Sequence, residues 1–233
     1  MIREKKRWMT YTYYNSYPRF QWGVTHLFSF ARSSVAGCVR IPFSTLVVEL
    51  GDENFLEKWS SSTRTKVNRA VREELVADRG AYLMPDILKL FSSTALLKGL
   101  RGYSPRHFKD FPQIECSAVL YEGVMLCGHV WVIDPEEKRA LLYVNASNQY
   151  NENEDSSLTG RAHYFLLWQD GLHLRRAGIQ TLDLMGYDPQ TTKTWMKGIN
   201  QWKAGTHGRE ELLHHYYPLW FYFLRMFRAM FTR

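Results

Sequence analysis

The chain of 233 residues has the length of a single domain or of two small ones, and 45% of its residues are hydrophobic and 15% aromatic. That composition excludes a disordered chain, and no apolar run reaches the roughly 18 residues of a transmembrane helix. Thirty basic against twenty-three acidic residues give a formal charge of +7, which favours anionic partners: nucleic acid, a phosphorylated cofactor or an acidic membrane surface.

The start of the sequence and the cysteines indicate a cytoplasmic protein. The first twenty residues are basic but continue into tyrosines and polar residues, so they lack the apolar core of a secretion signal. Cys38, Cys116 and Cys127 are widely spaced and form no CxxC pair, which fits a reducing compartment.

The first half of the chain alternates between strand and helix patterns. Residues 44–50, STLVVEL, are typical of a buried strand closed by Gly51 and Asp52. Residues 54–76 keep apolar residues at helical spacing and predict two helices separated by a serine-rich break. A further helix is predicted from Pro85, in its first turn, to about Gly99.

The second half begins with a change to strand periodicity. Residues 116–134 predict a hairpin around Glu122-Gly123, and 139–147 predict a third antiparallel strand. A helix capped by Thr159 and ended by Gly178, a strand at 179–186 and a last strand at 211–220 follow. This order predicts an α+β fold, with a mixed, mainly antiparallel sheet and helices on both faces.

The segment after the long helix carries a distinctive pattern. A helix ending at Gly178 leads into a strand with Asp183 and Gly186, then a short loop, then GINQWKAGTHG at 198–208 with the pair Trp202-Lys203 and a glycine-rich turn. In this order the chain resembles the GNAT fold of the FemABX-type peptidyltransferases and their single-domain acetyltransferase relatives. The resemblance implies one GNAT-like domain at 42–233 and leaves 1–41 as an unassigned N-terminal extension.

The resemblance also implies a binding site for an acyl donor. Two neighbouring parallel strands, 140–147 and 181–186, would diverge, and backbone N–H groups near Val144, Asn145 and Ala146 would face the thioester oxygen. Arg161, in the first turn of the long helix, would pair with a donor phosphate, and Trp202 would pack beneath Lys203. The implied donor is acyl-CoA, bound without a metal.

Four residues are candidates for the chemistry. Asp183 is the acid of an apolar strand and would receive a proton or orient the amine, although a buried ion pair with an arginine is as compatible with it. Lys203 would hold an anionic group as a point charge. Tyr143 and His129 are candidate proton relays, although a packed side chain with one hydrogen bond is the commoner role for such residues in strands.

Basic residues crowd one predicted helix, and aromatic and basic residues mix at the C-terminus. Arg64 and Arg69 are expected from the resemblance to bind a phosphate or carboxylate of the substrate, whereas a solvated face is the commoner reason for such a run. Residues 218–233 fit a terminal helix packed on the sheet or a helix on the inner face of an anionic membrane, near a lipid-linked acceptor.

Three functions remain open. The first is an N-acyltransferase that moves an acyl group from a thioester to the amine of an amino sugar, an amino acid or a lipid-linked cell-envelope intermediate. The second is an aminoacyl-tRNA-dependent FemABX-type peptidyltransferase. The chain has room for only one such fold, which argues against this function. The third is a non-catalytic module that binds membrane or nucleic acid, although aromatic residues are not interleaved with the basic ones at 63–72.

Overall fold

The computed structural model describes residues 1–6, 9–97, 102–148 and 155–231. Five α-helices and ten β-strands are assigned within these ranges. In chain order they are β1 (Ile2–Lys6), β2 (Met9–Tyr13), β3 (Val24–Ser29), β4 (Cys38–Glu49), α1 (Ser61–Arg72), β5 (Val76–Arg79), α2 (Met84–Leu97), β6 (Ile114–Tyr121), β7 (Val124–Asp134), β8 (Arg139–Ser147), α3 (Ser156–Arg176), β9 (Thr181–Gly186), α4 (Thr194–Ala204), β10 (Arg209–Pro218) and α5 (Leu219–Phe231).

All ten described strands form one sheet, in the order β1-β2-β3-β10-β4-β9-β8-β7-β6-β5. Most neighbours are antiparallel, and the two parallel pairs are β2 with β3 and β8 with β9. The predicted α+β class with a mixed, mainly antiparallel sheet is therefore confirmed.

The N-terminal segment belongs to this sheet. β3 pairs with β10, and β2 and β1 extend the sheet beyond β3. The boundary drawn between residues 41 and 42 does not coincide with a break in the sheet, because it falls inside β4. Short tyrosine-rich strands joined by polar residues carry little periodicity, which explains why the sequence left them unassigned.

Local chemistry explains several of the element boundaries. The Oγ atom of Ser60 accepts a hydrogen bond from the Thr63 backbone N–H and caps α1. Glu122 and Gly123, both at positive φ, form the two-residue turn of the β6–β7 hairpin, as predicted. The cap of α3 is Asp155 rather than Thr159, which lies inside the helix.

Two other boundaries differ from the prediction. The expected helix before the serine-rich break is a single 3-10 turn of four residues, Phe55–Lys58, because the backbone becomes extended at Trp59. The last strand ends at Pro218, and the next two residues begin α5. Residues 98 and 99, at the end of the predicted helix that is α2, lie outside the described residues.

The core lies on both faces of the sheet, as predicted. On one face α2 packs on β7 and β8 through Ile87, Leu88, Val130 and Val144. On the other face α1 and α3 cover Trp131, Leu142 and Leu182, among others. Because helices pack on both faces, a cavity between two strands of this sheet is bordered by helices on each side.

The two glycines of α3 provide a test of this packing. A Cβ atom on Gly171 would lie 2.5 Å from the buried ring of Phe55, so Gly171→Ala is expected to destabilise the protein by about 1 to 3 kcal/mol. A Cβ atom on Gly160 meets nothing within 4 Å, so Gly160→Ala, the matched control, is expected to stabilise the helix by up to about 1 kcal/mol. Denaturant unfolding measures both, and equal effects would contradict the packing described.

Candidate active site

The parallel strands β8 and β9 pair only at their beginnings. Arg139, Ala140 and Leu141 face Thr181, Leu182 and Asp183, and the pairing then stops although β8 continues to Ser147 and β9 to Gly186. The predicted divergence of these two strands is confirmed. Backbone groups on the facing edges beyond Leu141 and Asp183 are left without the neighbouring strand as a partner.

An extra residue in each strand accompanies the divergence. On β8, Leu142 pairs with Trp131 and Val144 with Val130, so Tyr143 is the additional residue of a bulge. On β9, the register against β4 shifts directly after Asp183, and Met185 adopts a positive φ of 61°. Bulges bend a strand and increase its twist, so the two strands are turned apart at the same level of the sheet.

A cavity of about 870 Å³ occupies the gap. Side chains from both faces of the sheet line it: Phe91, Thr94 and Ala95 of α2 on one side, and Thr63, Lys66, His163 and Tyr164 of α1 and α3 on the other. Leu142, Leu184, Met185 and residues of α4 complete the wall. The cavity therefore passes through the sheet rather than lying on one side of it.

Lys203 binds the end of β9 that is not paired with β8. Its ammonium donates hydrogen bonds to the carbonyl oxygens of Met185, at 3.1 Å, and Gly186, at 2.5 Å. Burial lowers the pKa of Lys203 from an ordinary value of 10.5 to about 8, an effect that the charge of Asp183 opposes. Because an ammonium has three N–H donors and the side chain lines the cavity, one donor remains for a ligand.

The Trp-Lys pair is helical. Trp202 and Lys203 lie in the last turn of α4, whereas the glycine-rich pattern had suggested a turn. The helix explains their geometry, since consecutive helical residues point in different directions: Lys203 reaches β9, and the Trp202 ring packs 5.0 Å from the ring of His163. Trp202 lines the cavity, and its expected contact with the acyl donor stays a prediction.

Asp183 lies outside the cavity wall and is fully buried. One carboxylate oxygen accepts from Tyr14, at 2.9 Å, and from the Arg139 guanidinium, at 2.9 and 3.2 Å; the other accepts from Thr45 and from the Met185 backbone N–H. With both oxygens occupied, the carboxylate is not available to an amine. Asp183 therefore forms the buried ion pair with an arginine that was the alternative to a catalytic role. We assign Asp183 the structural role of stabilising the β9 bulge.

His129 also lies behind the cavity rather than in its wall. It is fully buried, and its Nδ1 atom lies 2.7 Å from Oδ2 of Asp170 on α3. Ser117 and Trp131 donate to the same oxygen, and Arg79 donates to the other. His129, proposed as a proton relay, has no direct access to the cavity; the ring of His163, which does line the cavity, lies 5.3 Å from the His129 ring between centroids.

Tyr143 lines the cavity, and its candidate role as a proton relay stays a prediction. Its hydroxyl lies 2.8 Å from Nε2 of His107, which belongs to the 3-10 turn Pro105–His107. Burial raises the pKa of Tyr143 above its ordinary value of 10.0, so the phenol remains protonated at neutral pH. The hydroxyl is therefore not a ready base, and in this structure its partner is His107.

The candidate donor-binding residues divide between the cavity and the core. The side chain of Asn145 lines the cavity, whereas Val144 and Ala146 pack into the core beneath α2. Any role of the last two residues is limited to their backbone groups, because their side chains are fully buried. These three positions lie on the part of β8 that has left β9, so the predicted backbone contacts stay a prediction.

The predicted phosphate and carboxylate contacts by arginine are not supported. Arg161 is buried and paired with Glu73, at 2.8 Å, since the acidic residue at the end of α1 lies against α3. Arg64 donates to the backbone carbonyls of Glu57 and Trp59, and Arg69 pairs with Glu73 at the surface. The basic residue of α1 that lines the cavity is Lys66, whose ammonium lies 5.2 Å above the ring of Tyr164.

Sequence reasoning missed His163, Tyr164 and Lys66 as cavity residues. The first two lie mid-helix on α3, where a polar residue among apolar ones is no marker of a site by itself. The run of α1 contained Lys66, but the sequence did not show which basic side chain would face the gap.

Comparison with known proteins supports the fold. No family model and no curated protein matches the sequence. Similar solved structures include a C-terminal domain (DUF2156) attributed to a lysylphosphatidylglycerol synthetase of Agrobacterium fabrum, at 17% identity and a TM-score of 0.55, over 78% of this chain and 62% of that chain. FemX matches at 12% identity and a TM-score of 0.58, over 76% and 61% of the two chains.

A third similar structure is L-PGS from Bacillus licheniformis, at 13% identity and a TM-score of 0.53, over 83% of this chain and 67% of that chain. The chain spans about three fifths of the length of the first two structures. At these identities the likeness shows the fold, and it confirms the FemABX-like resemblance at that level.

The structural role of Asp183 is testable by substitution. Asp183→Asn leaves the buried Arg139 without its main counter-charge, so we expect the free energy of unfolding to fall by about 3 kcal/mol. Asp52→Asn removes an exposed carboxylate and is expected to change it by less than about 0.5 kcal/mol. A stable Asp183→Asn protein would return this residue to the list of catalytic candidates.

Proposed function

We propose that this protein is an acyltransferase that joins an acyl group to an amine within the gap between β8 and β9. The observation that carries the proposal is the cavity through the sheet at the point where the two strands part, with a buried lysine at its edge. The fold shared with FemX and L-PGS is consistent with this chemistry.

The reaction joins two substrates. The nitrogen lone pair of a neutral amine attacks the carbonyl carbon of a thioester, and the carbonyl oxygen gains the negative charge of a tetrahedral intermediate. The C–S bond then breaks as the carbonyl re-forms, the thiolate leaves, and the nitrogen loses a proton to give an amide. The protein must stabilise the oxyanion and accept that proton.

Lys203 is suited to stabilising the oxyanion. Its two hydrogen bonds to Met185 and Gly186 fix the ammonium at the gap, and desolvation strengthens its interaction with a developing charge. Backbone N–H groups on the free edge of β8 would supply further donors. A donor already in place, with no reorganisation during the reaction, contributes most to such catalysis.

His163 and Tyr143 are the titratable partners proposed for proton transfer. His163 lies in the cavity wall on the α3 side, and Tyr143 lies in it at the β8 bulge. An imidazole accepts a proton near neutral pH. A phenol kept protonated by burial can donate to the leaving thiolate. We therefore place the base on one side of the gap and the acid on the other.

The donor proposed is acyl-CoA, and the acceptor is a small or lipid-linked amine. Lys66 at the cavity offers a positive charge for a phosphate in place of Arg161. One observation favours an aminoacyl-tRNA donor as a second candidate: Glu73 and Asp155 occupy Arg161, so the helix α3 does not present the expected phosphate contact. Both donors carry an activated carbonyl, a thioester in acyl-CoA and a ribose ester in aminoacyl-tRNA, so the leaving group is a thiolate in the first and a ribose hydroxyl in the second.

Ligand-dependent melting tests the proposal and separates the donors. Acetyl-CoA and palmitoyl-CoA, compared with an aminoacyl-tRNA, are expected to raise the melting temperature, because a ligand that binds only the native state adds about 2.7 kcal/mol at a hundredfold excess over Kd. Gly198→Trp, which projects into open space at the cavity wall, should abolish the shift. If neither donor raises the melting temperature, the proposal fails.

The pH dependence of turnover tests the role of Lys203. Since the protonated ammonium is required and its pKa is about 8, the rate should fall as pH rises through 8, and Lys203→Arg should remove that fall because guanidinium stays protonated. Lys203→Met should lower kcat by about a hundredfold or more. Lys197→Met, on the exposed side of the same helix, is the control and should retain the wild-type rate.

A further inference from the structure

The last helix exposes an apolar stripe. Leu219, Phe223, Met226 and Met230 recur at helical spacing, and each is exposed, Phe223 to 62% of its surface. The face of α5 that packs on the protein is formed instead by Trp220 and its neighbours, which are partly buried. A helix whose outer face is this apolar is unusual at a surface that contacts water alone.

A loop before β3 extends the same apolar surface. Tyr17 is 84% exposed, Trp22 is 76% exposed, and Phe20 is also exposed. The ring of Trp22 stacks on that of Trp220 with centroids 5.1 Å apart, so this loop and α5 are held together. We call residues 17–22 and α5 together the aromatic end.

The segments that form the aromatic end carry basic residues and no acidic ones. Residues 5–48 contain no aspartate or glutamate, and neither do residues 212–233. The side chains of Arg19, Arg32, Arg40 and Arg225 are exposed in these segments. An apolar face flanked by arginines without acidic residues is complementary to an anionic bilayer, where the arginines meet lipid phosphates and the apolar groups enter the acyl boundary.

The aromatic end lies at the end of the sheet toward which the gap opens. β9 and β10 run in the same direction, because each is antiparallel to β4. Gly186 and Glu211 stand opposite Thr45, and β10 continues seven residues further to Pro218, roughly 23 Å at the rise of a strand, before α5 begins. β3 starts beside the end of β10, which places the loop 17–22 at the same end.

We propose that the aromatic end docks the protein on an anionic membrane surface, with the gap between β8 and β9 facing the lipid headgroups. The surface fits an amphipathic partner that offers negative charge and an apolar interior at once. No described helix has the length and apolar character to span a bilayer. This inference rests on the proposed function, because docking on a membrane would select a lipid-linked amine as the acceptor of the acyl group.

Co-sedimentation of the full-length chain with vesicles tests the docking. Vesicles of phosphatidylcholine with phosphatidylglycerol are expected to bind the protein, and added salt is expected to release it. Vesicles of phosphatidylcholine alone are expected to bind it at least about tenfold more weakly. Phe223→Ser with Met226→Ser, and Tyr17→Ser separately, should each weaken binding. Val76→Ser and Val124→Ser, exposed apolar residues at the β5–β7 side of the sheet, should bind as wild type.

Two outcomes would overturn the inference. One is a wild-type protein that ignores anionic vesicles, or binds them as tightly after the Phe223→Ser and Met226→Ser changes. The other is a wild-type dimer in light scattering that these changes convert to a monomer, since a second copy would then be the occupant of the aromatic end. Lys203→Met should bind vesicles normally, so loss of docking and loss of catalysis are measured separately.

Discussion

The buried ion pair of Asp183 with Arg139 is the constraint on which the site depends. Arg139 and Asp183 belong to the paired beginnings of β8 and β9, so the pair fixes the last level at which these strands run side by side. The same carboxylate holds the Met185 backbone N–H and so shapes the bulge that follows. A carboxylate that the sequence suggested as catalytic thus shapes the strands that border the cavity.

The gap leaves carbonyl groups of β9 without a neighbouring strand as hydrogen-bond donor. The ammonium of Lys203 donates hydrogen bonds to two of them instead. Burying an ammonium costs free energy, which the lowered pKa of this lysine reflects. Carbonyl dipoles and the nearby Asp183 charge offset part of that cost. The lysine is therefore both a structural replacement for a strand partner and, with Lys66, one of the positive charges that line the cavity.

Much of the fold could be predicted because the meander, the long helix and the strand at 181–186 have strong periodicity and clear turn chemistry. The parting of β8 and β9 was predicted from the family pattern, and Lys203, Trp202, Tyr143 and Asn145 do line the gap. The sequence left open a buried ion pair of Asp183 with an arginine, but it could not identify Arg139 as the partner, nor Glu73 as the partner of Arg161, because each pair joins residues distant in sequence. For the same reason the sequence could not show that His163, rather than His129, lines the cavity.

The passage of the cavity through the sheet has a kinetic consequence. Helix α2 borders it on one face, and α1 and α3 border it on the other. Under the proposed acyl transfer, two substrates that arrive from opposite sides would not have to exchange places, so both could occupy the cavity together and the acyl group could pass between them in one direct step. The proposed function then predicts a sequential rather than a ping-pong scheme, with intersecting double-reciprocal plots.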